Sequence, residues 1–322
     1  MMKRRTFTTM VAAAAVLPAL GSAQDRFPAR TVTMVVPYAA GGATDVIARM
    51  VSEPLSKAWG EPVVVANRPG AGTVVAAESV ARAAGDGHTL YMTTAAHTIS
   101  ASLYRKLSYD PIADFAPVTL VATIPLVLVV SPSLPVKTVS ELLAHVRAQS
   151  GTTFGSPGNG SPQHLTMELF KSGNKLDLVH VPYKGDTPMI TDLIGGQVRM
   201  AFVTLSAALP HIRAGKLRAL ALAHRQRIAA IGDVPTFAEA GVPNFEAATW
   251  FGILAPASVP AELRQRIYHD VSKIVAEPAF TAKLVEMGAD VDNSTPEAFQ
   301  ALIQSEAKRW AEAVRVSGAQ VD

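Results

Sequence analysis

The sequence contains no cysteine, which excludes disulfides, thiolate metal sites and cysteine nucleophiles and leaves the redox compartment open. Catalytic signatures are also missing. No glycine-rich loop ends in Gly-Lys-Ser or Gly-Lys-Thr, and no Gly-x-Ser-x-Gly elbow occurs. Gly70-Ala71-Gly72 opens a dinucleotide-like pattern, but Val75 stands where the third glycine is needed, so pyrophosphate binding is not expected. The eight histidines form no His-x-x-x-His or His-Glu pairing of metal-ligand spacing. Neither a metal nor a cofactor is expected, and no residue is assigned a catalytic role.

The charge excess is small and sits in one place. There are 29 Lys and Arg against 26 Asp and Glu. Lys3, Arg4 and Arg5 are the only charged residues among the first 23, so the rest of the chain balances. Nothing in that balance points to nucleic acid or a membrane surface. The same three residues precede an apolar run over 11–20, and Gly21-Ser22-Ala23 supplies small residues for cleavage. This is the layout of a secretory signal peptide over 1–23, too short to span a bilayer. Arg4-Arg5-Thr6-Phe7 fits twin-arginine export as well as the general route. A periplasmic location follows, with cleavage after about Ala23, and the lack of cysteine excludes a lipoprotein anchor.

At 322 residues and 49% hydrophobic, the chain suits two domains with full cores. Short apolar runs alternate with helical patterns, the mark of an α/β architecture with mostly parallel sheets. Strands are expected at 31–36, 63–66, 88–93, 152–155, 178–181, 200–204, 217–223 and 249–255. Helices are expected at 43–59, kinked at Pro54, and at 73–84, 140–149, 162–171 and 187–194. From 260 to about 316 the chain reads as helical. A β-branched stretch over 115–130 is broken by Pro125. Strands near 118–130 and 249–255 could cross between two lobes as paired hinges; two sequential domains or one large sheet would give the same alternation.

Two strand–loop–helix units carry the candidate site. In Pro37-Tyr38-Ala39-Ala40-Gly41-Gly42-Ala43-Thr44-Asp45 the glycines let backbone approach a ligand, and the helix behind directs unpaired N–H groups into that space. The second unit, Phe154-Gly155-Ser156-Pro157-Gly158-Asn159-Gly160-Ser161, again leads into a helix. Two such amide cups would grip the two ends of a dicarboxylate; ordinary βα turns have the same pattern. Asp45 either orients the first loop or simply caps its helix. His164 faces a similar choice between ligand and neighbouring loop. Tyr183 could close over a ligand body or fill an interface.

Several motifs, in this order and spacing, resemble one family. They are the 37–45 unit, Asn67-Arg68-Pro69-Gly70-Ala71-Gly72, Tyr109-Asp110-Pro111 with Asp114-Phe115-Ala116-Pro117-Val118, and Gly158-Asn159-Gly160-Ser161-Pro162-Gln163-His164-Leu165. His180-Val181-Pro182-Tyr183-Lys184-Gly185, Val234-Pro235-Thr236 and Ala255-Pro256-Ala257 extend the match. The sequence is similar to the Bug (TctC-like) receptors of tripartite tricarboxylate transporters. The resemblance implies a two-lobed periplasmic-binding-protein fold, a type II-like Venus flytrap with hinge strands. Lobe one would hold 24–124 with 250–322, and lobe two 125–249. It implies a small carboxylate as ligand: a di- or tricarboxylate, an acidic amino acid or an aromatic acid. Membrane components of the transporter would be its partners.

By the same resemblance the carboxylate is held by backbone amides of Tyr38, Ala39, Ala40, Gly41 and Gly42. Further contacts carry over to Thr93, Thr94, Ala95 and His97, to Ser156–Ser161 (Ser156, Pro157, Gly158, Gly160, Ser161), and to Val203 and Thr204, where the strand that begins at Met200 gives way to its loop. Two positions depart from the family. Relatives carry Asp or Asn where Val203 or Thr204 aligns, and a small residue where Asp186 follows Gly185. Near the cleft, Asp186 would disfavour a second anion or attract an amine. A monomer is expected, since a single-ligand clamp needs no second subunit. An exported hydrolase or isomerase, or a receptor presenting ligand to a sensor, would use the same cleft.

Overall fold

The computed structural model describes residues 27–317; the leader over 1–23 lies outside the described residues. Three parallel strands start the chain: β1 (Val32–Val36), β2 (Val63–Asn67) and β3 (Thr89–Thr94). Helices α1 (Ala43–Trp59) and α2 (Val74–Ala81) connect them, as the crossover of a parallel pair requires. α1 runs unbroken through Pro54 and closes on Gly60, whose N–H bonds the Ser56 carbonyl. Ile47, Val51 and Leu55 are fully buried on both sides of the proline and hold the helix to the sheet. Val46, on the opposite side, is exposed.

β3 runs through Ala95 alone into α3 (Ala96–Leu103), and β7 (Met200–Thr204) runs directly into α7 (Leu205–Arg213). Neither helix was expected, because no turn residue separates it from its strand. The segment after Pro260 is also less uniform than its periodicity suggests. It divides into α8 (Ala261–Val275), α9 (Pro278–Glu286), a two-residue strand β10 (Asp290–Val291) and α10 (Pro296–Ser317).

The sheet is organised by β4 (Phe115–Val130). Its first part, Phe115 to Pro125, pairs antiparallel with β9 (Ala248–Pro256) and with β10, joining the sheet of β1, β2 and β3. Its second part, Leu126 to Val130, pairs with β7 and with β8 (Arg218–Leu222), and so belongs to a second sheet. That sheet is extended by β5 (Thr152–Ser156) and β6 (Leu178–Pro182), both parallel to one another. Pro125 does not break the strand. It lacks a donor at the position where the ladder changes partners, where a proline costs least. Beside it, Leu126 N–H bonds Ala247 O, Ala247 N–H bonds Ala223 O, and Ala223 N–H bonds Leu126 O. The chain therefore crosses between the sheets twice, side by side.

Helices α4 (Val139–Ala148), α5 (Pro162–Asn174) and α6 (Asp186–Ile194) flank the second sheet. Its core is aromatic, with Phe170, Phe202, Phe237 and Phe245 mutually within ring contact. In the first lobe α10 seats on β9 through Phe299, edge-on to Trp250 at 5.3 Å. Phe27 anchors the start of the described chain against Trp59 and His88. Gly252 lies under Phe299, and a Cβ there would collide with the ring. Gly252→Val should therefore unseat α10 at a cost of about 1–3 kcal/mol. Circular dichroism melting reads this as a transition several degrees lower; an unchanged transition would mean that α10 does not seat through this contact.

Candidate functional site

The carboxyl ends of β1, β3, β5 and β7 point to one place between the lobes, where ligands of open α/β sheets bind. A small, narrow polar cavity of about 10 Å³ lies there. The first lobe contributes Tyr38, Thr44 and Thr94, and β9 adds Thr249 and Phe251. Pro157, Gln163, Asp186 and Thr204 close it from the second lobe. A larger groove bordered by Ser133, His145 and Arg199 opens to solvent on the second lobe. The cavity between the lobes is the better site, since Asp186 Oδ1 and Thr204 Oγ1 are buried on its wall without a partner.

Each wall is set by local chemistry. Asp45, in the first turn of α1, is a fork. One carboxylate oxygen accepts from Gly41 N–H at 3.0 Å and Arg49 Nε at 3.0 Å. The other accepts from Arg49 Nη2 at 3.1 Å and Asn67 Nδ2 at 3.0 Å. Burial alone would raise its pKa, but the bonds from Arg49, Gly41 and Asn67 outweigh that and hold the carboxyl below its ordinary range. Asn67 Nδ2 also donates to Tyr38 O. Asp45 and Asn67 thus shape the 38–42 loop from behind and do not meet the cavity. The Tyr38 hydroxyl lies 3.1 Å from Thr94 Oγ1, and burial pushes its pKa up, so it stays a neutral donor.

The second loop is held from within. Gly158 N–H donates to Ser156 Oγ, Gly160 N–H to His164 Nδ1, and Ser161 N–H to Gly158 O. Ser161 Oγ caps α5 by accepting from His164 N–H. The His164 ring stacks on His180 at 3.9 Å, and burial lowers its pKa to about 4 and that of His180 to about 3. Ser156 Oγ is 2.7 Å from His180 Nε2, a nucleophile–base spacing. Yet Ser156 is fully buried, its hydroxyl donates to Gly158 O, and burial keeps His180 a poor base. The pair is a loop support.

Of the residues expected to meet ligand, Tyr38, Thr94, Pro157 and Thr204 line the cavity. Others are placed elsewhere. Ala40 and Gly41 are exposed, and the Ala39 and Gly41 amides are already bonded, to Lys184 O and Asp45. Neither loop is therefore a fully free amide cup: Ala39 and Gly41 in the first and Gly158, Gly160 and Ser161 in the second spend their N–H groups within the protein. His97 sits inside α3, its Nε2 2.7 Å from Pro111 O and its ring against Tyr91 and Phe115. Ala95 and Val203 pack in the cores, Val203 because alternation along β7 turns its side chain away from Thr204's face. Tyr183 donates its hydroxyl to Asp192 at 2.7 Å, outside the cavity. Thr44, Gln163, Thr249 and Phe251 were not singled out. Thr249 and Phe251 alternate with core Trp250, a period-two signal readable in the sequence.

Asp186, the first residue of α6, is the one titratable carboxyl on the cavity wall. The start of α1 at Ala43 acts on its carboxylate against the effect of burial, and its Oδ1 is buried without a partner. The lobes meet around it: Ala39 N–H donates to Lys184 O at 2.9 Å and Thr187 Oγ1 to Ala40 O at 3.0 Å.

A two-lobed α/β frame closed on a small polar cavity defines a solute-binding protein. The TctC family, described as the tripartite tricarboxylate transporter family receptor, matches residues 47–318. This chain belongs to that family. It superposes on R. palustris Rpa4515 with adipate at TM-score 0.87 and 37% identity, covering 91% of this chain and 98% of that one. MatC from Rhodopseudomonas palustris with bound malate gives 0.86 and 34%, covering 89% and 100%. The periplasmic binding protein BugD gives 0.87 and 32%, covering 91% and 99%. The family and these neighbours are receptors and binding proteins, not enzymes.

Burial pushes the Asp186 carboxyl up to about 6. A carboxyl raised on folding contributes stability fully below its ordinary pKa and loses it as pH rises through the folded value. Asp186→Asn should therefore gain on the wild type in melting temperature between about pH 4 and pH 7. A difference independent of pH across that window would contradict the buried, ionising position.

Proposed function

We propose that this chain is the extracytoplasmic receptor of a tripartite tricarboxylate-type transporter, capturing a small carboxylate between its lobes. The observation that carries this is the cavity itself: helix starts and hydroxyls converge on it, and no cationic side chain lines it. The first intrahelical bond of α1 runs from Val46 N–H to Gly42 O, which leaves the N–H of Thr44 directed outward at the positive end of the dipole. Thr44, Thr94, Gln163, Thr204 and Thr249 supply donors around it. Thr204 Oγ1 is buried with no partner, and a ligand oxygen would complete it. The adipate and malate bound by Rpa4515 and MatC support the carboxylate class.

The lobes, 24–124 with 250–322 and 125–249, close as rigid bodies about the paired crossings at Pro125–Leu126 and Ala247–Ala248. Tyr38–Gly42 and Ser156–Ser161 shape the two walls, and differential affinity for the closed state drives closure. The closed monomer then docks on the transporter's membrane components. Its leader is cleaved near Ala23 on export to the periplasm. Among the described residues no helix is long and apolar enough to cross a membrane.

A thermal-shift screen of mono-, di- and tricarboxylic, amino and aromatic acids tests the reading. At least one should raise the melting temperature by several degrees at saturation; silence across the panel would overturn it. Two variants address closure. Gly42→Asp sets a second carboxylate beside Asp186, since a Cβ at Gly42 already lies 3.5 Å from Asp186 Oδ2, and binding should be lost. Gly72 has φ 56°, and a Cβ there would collide with Asn159 O across the cleft. Gly72→Val should hold the lobes apart and weaken binding about tenfold or more through the smaller closed population. Unchanged affinity in both variants would rule out ligand capture by closure at this cleft.

A further inference from the structure

We propose that Asp186 sets the ligand class: the site takes a carboxylate that also bears an ammonium group, an amino acid, in preference to the matching unsubstituted acid. This rests on the carboxylate-receptor reading above and narrows it.

The argument begins with what Asp186 occupies. A helix start attracts an anion, and the anion beside the start of α1 is the protein's own, since a Cβ at Gly42 would lie 3.5 Å from Asp186 Oδ2. Its position is tightly defined. A Cβ on the preceding Gly185 would come within 3.0 Å of Ala39 N, so the start of α6 is pressed against the 38–42 loop. A ligand carboxylate that approaches the start of α1 thus meets a negative charge within the same small cavity.

The second observation is the unmet acceptor. Asp186 is 7% exposed, lines the cavity, and its Oδ1 has no partner. A buried carboxylate oxygen left unsatisfied is costly, and a donor bearing positive charge offsets most of that cost. No Lys, Arg or His lines the cavity to do so. Burial keeps His97, His164 and His180 neutral at physiological pH, and none of them reaches it. Ligand must therefore bring the cation. The carboxylate end of the same ligand finds the hydroxyls of Tyr38, Thr94, Thr204 and Thr249. An unsubstituted dicarboxylate would add two negative charges beside Asp186 and leave Oδ1 unmet.

Isothermal titration with matched pairs tests this: aspartate against succinate, glutamate against glutarate, alanine against propionate. For at least one pair the wild type should bind the amino acid more tightly by about 30-fold or more, the low end for removing one partner of a buried charge pair. In Asp186→Ser that preference should collapse, and the unsubstituted acid should bind better than it does to the wild type. Asp186→Asn, isosteric and uncharged, should behave the same way and replaces the serine variant if that one melts early. Wild-type binding of an unsubstituted acid as tight as its amino acid overturns the proposal and leaves the receptor reading standing. A preference that survives both substitutions does the same. Failure of every carboxylate to bind the wild type overturns both.

Discussion

Three backbone hydrogen bonds, among Leu126, Ala223 and Ala247, tie together the point where the chain passes between its two sheets. Everything else in the architecture is referred to that junction. β4 belongs to one sheet before Pro125 and to the other after it, so neither sheet is complete without the other's strand. The two crossings are adjacent and in register, so the lobes are joined at one short junction. Only peptide groups are involved, so the junction tolerates side-chain change while its geometry stays the same.

The cleft above that junction is polar without being cationic. Its positive potential comes from helix starts, and its donors are hydroxyls and amides. Such groups hold an anion without the desolvation penalty of a buried ammonium or guanidinium. Their orientation is maintained from behind, by Asp45 and Asn67 under one loop and by His164 and His180 under the other. These supporting residues carry the strongest local chemistry in the molecule, yet none of them faces the cavity. Asp186 alone brings full charge to the wall.

How much of this was legible in the sequence follows from the range of each interaction. The Tyr38–Asp45 unit was readable because its glycines and the apolar spacing of the helix behind it are local signals. The crossing strands were readable as β-branched runs, and Asp186 stood out as a charge among small residues. What escaped depends on tertiary closure. Whether the Ala39 amide is free or spent is decided by Lys184 of the other lobe, while Gly41, Gly158 and Gly160 are spent on Asp45, Ser156 and His164, whose rotamers the sequence does not state. Val203 and Thr204 differ by one residue, and so by the face they present. His97 is turned away from the ligand because Ala95 alone separates β3 from α3, and the helix buries its ring.

The position of Phe27 also matters for how the molecule can be handled. Its ring wedges between Trp59 and His88, and His88 immediately precedes β3, so the anchored chain enters at the amino ends of the strands. The cavity lies at their carboxyl ends. A fluorescent domain or surface tether joined ahead of residue 27 would ride on the far end of the first lobe, clear of the mouth. With a second fluorophore on α4 of the other lobe, the protein would become a distance-reporting sensor for its own cargo.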